Sequence, residues 1–309
     1  MAIRTITILM GIYNGGALLT SQLQSLAAQD DPDWRLIASD DGSTDDTKVR
    51  IRAFCDEAPQ DVHVVDGPGR GFSANFMSLI AGLRPDCGPV AFADQDDVWL
   101  NDKLARGRAA LEGTDPARPT IYCARRWIWW PGTDQRWLTP LPRRGASFRN
   151  ALVENIAPGN TILLNPAAAD LARRAALRTG DVFAHDWWLY LLITGAGGKV
   201  LVDEGPACLL YRQHDGNAIG EGRAVAAQAR RKLAVLRGAF RDRLTGNLRA
   251  MVAIEDMLMP ENVCILHAFE AARQAALPAR MNALRIVAPY RQTIGGTLGF
   301  WGAAFLGRV

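Results

Sequence analysis

Residues 94 to 99 read Asp-Gln-Asp-Asp-Val-Trp, three carboxylates within four positions. Pro89-Val90-Ala91-Phe92-Ala93 directly before them is a short apolar run of strand character, so Asp94 and Asp96 emerge where a strand ends, the usual ligand position in an open α/β sheet. Crowded carboxylates raise one another's pKa unless a cation neutralises them. Hard oxygen ligands of this kind suit Mg²⁺ or Mn²⁺, ions that typically also bridge substrate phosphates. The cluster reads either as a metal-diphosphate site or as an acidic turn capping a helix that begins near Asn101.

Two further polar loops follow strand-like runs. Thr5-Ile6-Thr7-Ile8-Leu9-Met10 leads into Gly11 to Gly16, and Trp34 to Ser39 leads into Asp40-Asp41-Gly42-Ser43-Thr44. Three loops at strand carboxyl ends build a nucleotide crevice. Tyr13 offers an aromatic face to a base and Asp41 an acceptor to a pyrimidine imide N–H; as plainer alternatives, Tyr13 is a core aromatic and Asp41 a turn or cap residue. The Gly67-Pro68-Gly69-Arg70-Gly71 loop lacks the Gly-Lys-Ser/Thr ending of a P-loop and is expected to be a flexible connection.

Later in the chain, Ala184-His185-Asp186-Trp187-Trp188 predicts a helix starting at Asp186, with its carboxylate at the N-terminal rim and Trp187 and Trp188 walling a sugar pocket; Asp186 as a mere N-cap is the alternative. Tyr211-Arg212-Gln213-His214 follows a strand over Cys208 to Leu210. Arg212 can neutralise phosphate. Trp127, Trp129, Trp130 and Trp137 lie among Arg125, Arg126 and Arg136, a pattern suited to sugar stacking or to strands of an apolar subdomain.

The elements that position these residues alternate strand and helix four times within about the first 110 residues, which predicts a doubly wound, mostly parallel sheet. The composition, 49% hydrophobic and 22% charged over 309 residues, is that of a folded globular protein. Cys55, Cys87, Cys123, Cys208 and Cys264 are odd in number and widely spaced, so neither a disulfide framework nor a zinc site is indicated. A reducing cytosol is the expected compartment, and no secretory signal pattern opens the chain. Net charge is uneven: residues 1–222 hold 22 basic and 27 acidic side chains, residues 223–309 hold 13 and 5. That shift, with Gly216, Gly220 and Gly222 nearby, sets an expected boundary between a catalytic domain (1–222) and a basic helical region (223–309). The helical pattern runs through Val225, Ala229, Leu233, Leu236, Phe240, Leu244, Leu248 and Met251. Its basic surface suits the inner face of the cell membrane or a subunit contact. The uncharged stretch Gln292 to Gly307 is too short for a confident span and reads as interfacial. A net acidic catalytic half without a nucleic-acid motif argues against nucleic-acid partners.

Ile8-Leu9-Met10-Gly11-Ile12-Tyr13-Asn14-Gly15, Ser39-Asp40-Asp41-Gly42-Ser43-Thr44-Asp45 and Asp94-Gln95-Asp96-Asp97-Val98-Trp99 resemble the three signatures of family-2 inverting glycosyltransferases with the glycosyltransferase A fold. The last form is similar to bacterial rhamnosyltransferase-like members that build surface polysaccharides. The resemblance covers about residues 3 to 217 and implies that fold with a C-terminal helical extension. It implies a nucleotide-binding set of Gly11, Tyr13, Asn14, Asp41, Asn75 and Asp94, a Mn²⁺ or Mg²⁺ ion on Asp96 and His214, and Asp186 as catalytic base. Trp187, Trp188 and Arg212 are then candidates for acceptor or diphosphate contact. The implied reaction moves a sugar, from dTDP-rhamnose or a UDP-sugar, to a hydroxyl of a glycan or lipid-linked acceptor. Two departures stand out: Ile12 replaces the family's frequent Thr or Ser, and Ala124-Arg125-Arg126 lacks its frequent acid. A sugar nucleotidyltransferase is the rival enzyme, though Gly11 to Gly16 has no basic residue for its phosphate loop; a noncatalytic membrane-docking scaffold or a homo-oligomer contact is the rival use of the tail.

Overall fold

A computed structural model describes residues 5–214 and 239–309. Strands and helices alternate from the start: β1 (Ile6–Ile12), α1 (Gly16–Ala27), β2 (Trp34–Asp40), α2 (Thr47–Glu57), β3 (Val62–Asp66), α3 (Phe72–Ala81) and β4 (Val90–Asp94). The short β5 (Val98–Trp99) precedes α4 (Lys103–Glu112), β6 (Thr120–Ala124), β7 (Trp127–Trp130) and β8 (Gln135–Leu138). Then come α5 (Phe148–Ala151), β9 (Leu163–Leu164), α6 (Pro166–Ala176), α7 (His185–Gly195), β10 (Lys199–Asp203) and β11 (Leu209–Arg212). Four helices follow: α8 (Ala239–Val252), α9 (Pro260–Gln274), α10 (Ala279–Val287) and α11 (Ile294–Phe305).

Seven strands form one sheet in the order β10-β6-β9-β4-β1-β2-β3. All neighbours pair in parallel except β9, which runs antiparallel to both β4 and β6. The central strands are covered on both faces, so β1 and β4 read as continuous apolar runs, with Ile6, Ile8, Leu9, Met10 and Val90 to Ala93 buried. Side chains of the sheet press on the α4 backbone at Gly107, where a Cβ would lie 2.8 Å from Leu163 Cδ2 and 3.3 Å from the Tyr122 ring. A second, four-stranded sheet in the order β5-β11-β7-β8 absorbs the tryptophan-rich segment, so Trp127, Trp129, Trp130 and Trp137 are strand residues of a subdomain.

The described residues divide into two compact units. The first holds those up to residue 141, 157–177 and 198–214; the second holds 142–156, 178–197 and 239–309. The expected boundary at residue 222, and the helical positions Val225, Ala229, Leu233 and Leu236, lie outside the described residues. Residues 142–156 and 178–197 leave the expected 1–222 block and group with the C-terminal helices instead. The reason is α7: ten of its eleven residues are buried, and a helix apolar all round needs partners on every side. Within that unit α5 and α8 pack against it. Buried Asn150 knits the same unit, accepting from Tyr190 Oη at 2.8 Å and donating to the Tyr290 carbonyl at 2.9 Å.

Candidate active site

Strand register brings the predicted loops together. Gly11 of β1 lies opposite Asp94 of β4, and Ile12 lies opposite Asp40 of β2. Gly11, Tyr13, Asn14, Asp41 and Asp94 therefore share one end of the sheet, as the sequence predicts.

The loop after β1 is tied down by distant side chains. Asn14 adopts a left-handed conformation, with φ of 46°; its N–H donates to Ser43 Oγ and its Oδ1 accepts from Thr44 N, each at 2.9 Å. Tyr13, 56% exposed, projects to solvent and is no core aromatic. Its backbone is gripped by Gln95: Tyr13 N donates to Oε1 and Nε2 donates to the Tyr13 carbonyl, both at 2.8 Å. The side-chain amide pairs with the Tyr13 peptide as a neighbouring strand would. Sequence reasoning gave Gln95 no role, and its place between two carboxylates was the available signal.

Asp41 is buried, and its two carboxylate oxygens separately accept the N–H of Gly69 and of Gly71, each at 2.7 Å. Those glycines have φ of 67° and 89°, which lets successive amides turn towards one anion. The loop over 67–71 is thus bound to Asp41 and is not the loose connection expected. Asn75 also departs from expectation. It is 1% exposed, and its Nδ2 donates to the Ser39 carbonyl at 2.9 Å, so it supports β2 from beneath the loops.

In the acidic motif the three aspartates have different surroundings. Asp97 is fully buried; its Oδ2 accepts from Asn160 Nδ2 at 2.6 Å. Burial, then the neighbouring Asp94 and Asp96, push its carboxyl well above the usual range. Arg126 donates to Asn160 Oδ1 at 3.0 Å and Lys103 Nζ to the Asn160 carbonyl at 2.8 Å. Lys103 also sits 3.4 Å from the Trp99 ring centroid, and burial lowers its ammonium to about 8. Asp97, Lys103 and Trp99 thus anchor the turn, which leaves Asp94 and Asp96 partly open to solvent.

Antiparallel pairing of β5 with β11, Trp99 to Leu209 and Val98 to Leu210, carries His214 back to the acidic turn. His214 Nε2 lies 2.7 Å from Asp96 Oδ2 across 118 residues of sequence. Arg212 is fixed there too: its Nε donates to the Asp96 carbonyl at 2.9 Å and its guanidinium lies over Trp129. Among the described residues no group of three or more His, Cys, Asp or Glu is arranged around a cation position. A carboxylate and an imidazole in contact nevertheless form a donor set that fits Mn²⁺ or Mg²⁺ when phosphate oxygens and water supply the remaining ligands.

In the second unit Asp186 is the one residue of α7 that is not buried. Ala184 takes the N-cap position and Asp186 the first turn, where its Oδ1 accepts from Trp187 N at 2.7 Å and the helix dipole favours its charge. It is therefore not the N-cap. Trp187 and Trp188 are corrected more sharply: Trp188 is wholly buried, and Trp187 is 7% exposed with Nε1 donating to the Ala151 carbonyl at 2.7 Å. Both are core residues and wall no sugar pocket.

The family model described as Glycosyl transferase family 2 matches residues 7–171, more than half of the chain. The chain belongs to that family. This glycosyltransferase is 25% identical over 229 residues to the dTDP-rhamnosyl transferase RfbG of Shigella flexneri, covering 72% of this chain and 77% of the relative. Over 99 residues it is 27% identical to the Escherichia coli UDP-Glc:alpha-D-GlcNAc-diphosphoundecaprenol beta-1,3-glucosyltransferase WfgD, covering 32% of this chain and 38% of that one. Among solved structures, S. aureus TarS 1-349 in complex with UDP-GlcNAc superposes with a TM-score of 0.54 at 14% identity, over 92% of this chain and 90% of the other. The mannosyltransferase PcManGT from Pyrobaculum calidifontis, in complex with GDP-Man and Mn²⁺, gives 0.51 at 18% identity, over 100% and 88%. The fold is the glycosyltransferase A fold, as the sequence predicts.

Proposed function

We propose that this glycosyltransferase moves a sugar from a nucleoside diphosphate to a hydroxyl of a glycan or lipid-linked acceptor in bacterial surface-polysaccharide synthesis. The transfer inverts the anomeric centre and uses Mn²⁺ or Mg²⁺. The observation that carries the reading is the contact of Asp96 with His214 at the sheet end where Tyr13, Asn14 and Asp94 gather. That arrangement supports a diphosphate seat. Tyr13 stacks on the donor base, the Asp41 lone pairs left free by the glycine loop accept its imide N–H, and Asp94 holds the ribose. Asp96 and His214 would hold the cation, which would supply neutralising charge for the departing diphosphate. Asp186, held at a helix N-terminus and partly exposed, takes the proton of the acceptor hydroxyl. The acceptor oxygen bonds to the anomeric carbon as the bond from that carbon to the diphosphate oxygen breaks, so one in-line displacement inverts the centre.

The likeness to RfbG makes dTDP-rhamnose the first donor to test, and the likeness to WfgD makes a UDP-sugar the second. The experiment incubates purified protein and Mn²⁺ with dTDP-, UDP- and GDP-sugars and reads nucleoside diphosphate release. Asp96→Ala and Asp186→Asn run in parallel. One donor should be consumed, with turnover reduced about 10²-fold or more in Asp186→Asn. A protein that neither turns over nor gains thermal stability from any nucleotide with Mn²⁺ would refute the reading, and wild-type turnover by Asp186→Asn would remove Asp186 as base.

A further inference from the structure

The two most exposed large apolar side chains among the described residues are Ile294, at 83%, and Ile286, at 77%. Ile294 opens α11, whose twelve residues carry no charge. Leu298 and Phe305 follow at 67% and 58% exposure. At about 100° per residue, positions 294, 298 and 305 fall within an arc of about 40°. Phe300 and Ala304 project from a different side and are buried, Phe300 stacking on Phe269 of α9 with centroids 6.4 Å apart. The single hydroxyl proton of Thr297 is shared between the Arg291 and Thr293 carbonyls, 3.1 and 3.0 Å away. This helix is therefore apolar on its packed side and again on its open side, a pattern that a solvated surface helix does not have.

Charge identifies what covers the open side. After Glu270 the sequence contains no acidic residue, yet it contains Arg273, Arg280, Arg285, Arg291 and Arg308. Arg285, next to Ile286, and Arg308, just beyond α11, are exposed. A second copy paired about a two-fold axis would set arginine against arginine, whereas anionic headgroups complement them. Twelve helical residues extend about 18 Å, too short to cross a hydrocarbon core of about 30 Å, and among the described residues no helix is long and apolar enough to do so. We infer that the Ile294, Leu298 and Phe305 face of α11, together with the exposed Arg285 of α10 and Arg308 after α11, docks this enzyme on an anionic lipid bilayer, lying in the interface and not spanning it.

The test needs no donor and stands apart from the transfer reaction. Full-length protein is sedimented with vesicles of phosphatidylglycerol and phosphatidylcholine, and with phosphatidylcholine alone, at low and high salt. Binding to the anionic vesicles is expected, weakened by salt. Ile294→Glu with Leu298→Glu should lower the partition coefficient at least tenfold, and Arg285→Glu with Arg308→Glu should lower it about fivefold for each charge removed. Phe305→Ser repeats the apolar test with a milder change, and because all these side chains are exposed the melting temperatures should stay within about 2 °C of wild type. No binding to anionic vesicles, or undiminished binding by the folded apolar variants, overturns the inference. Conversion of a dimer to a monomer by Leu298→Glu with vesicle binding unchanged also overturns it and assigns the face to a second copy.

Discussion

Gln95 holds both the N–H and the carbonyl of Tyr13 through two 2.8 Å hydrogen bonds that span 82 residues of sequence. One amide side chain thereby fixes the angle at which the Tyr13 ring leaves the sheet and links the loop after β1 to the acidic turn after β4. Gln95→Ala removes both bonds at a partly exposed site. Each neutral bond contributes about 1 kcal/mol, so the donor KM should rise by up to about 30-fold while the melting temperature falls by only a few degrees. Gln95→Glu retains the acceptor but sets a carboxylate against the Tyr13 carbonyl, and should be at least as impaired. Steady-state kinetics over donor concentration check this; an unchanged KM in Gln95→Ala would show that the brace does not position the base platform.

Gly15→Ala reaches the same brace from another side. A Cβ there would lie 2.7 Å from Gln95 Oε1 and 3.1 Å from its Cδ, so the Gln95 side chain must swing away. The variant should reproduce the Gln95→Ala kinetics, and the double variant should be no worse than either single one. Additive losses in that double-mutant cycle would separate the two residues.

Asp41→Asn leaves one of the Gly69 and Gly71 amides without its carboxylate acceptor. Hydrogen bonds to a charged acceptor contribute about 1.5 to 3 kcal/mol, and this site is partly buried, so a loss near the low end is expected. Chemical denaturation should register it, and limited proteolysis should open the chain between residues 67 and 71. A variant as stable and as resistant as wild type would mean that the carboxylate does not order the loop.

Buried His185 carries a pH dependence of stability that is separate from catalysis. Burial lowers its imidazolium from 6.5 to about 4, against a smaller opposing pull from Asp186. The unfolded chain takes up this proton near pH 6.5 and the folded one only near 4, so the contribution is complete above about 6.5 and is lost as the pH falls to about 4. At about 1.4 kcal/mol per pH unit the whole is roughly 3 kcal/mol. His185→Gln should flatten the denaturation free energy over that window relative to wild type; an identical slope in the variant would contradict it.

Much of the first unit was legible because its determinants are local. Short, β-branched or apolar runs such as Ile6 to Met10 and Val90 to Ala93, bounded by turn residues, suit buried strands, and the polar residues that follow them mark one end of the sheet. Asp96 and His214 were both expected as ligands, but their contact depends on pairing β5 with β11, two and four residues long, which leaves no periodicity to read. The antiparallel direction of the two-residue β9 in the large sheet was equally hidden. Trp187 and Trp188 were misread although a signal existed: from Trp187 to Ile193 every residue is apolar or aromatic, which describes a core helix and not the wall of a wet pocket. The burial of Asn75 was not legible because a resemblance of motifs does not report burial. Gln95 was missed although it stands between two carboxylates, because a side chain that pairs with another residue's backbone leaves no complementary residue type in the sequence.

The position of Asn160 sets an order of events during synthesis. Strands β1 to β4 occupy adjacent places in the sheet and are complete once residue 94 has left the ribosome. The carboxyl of Asp97, three residues later, receives its hydrogen bond from an amide encoded 63 residues downstream, beside the one strand that runs against the rest. Half a sheet can therefore form early while the acidic turn waits for a long loop to close, the kind of non-local contact that slows folding. Arrested nascent chains should show that lag as protease-resistant β1 to β4 with an accessible residue 97 until Asn160 emerges. Protection of both at the same chain length would show that the turn does not wait for Asn160.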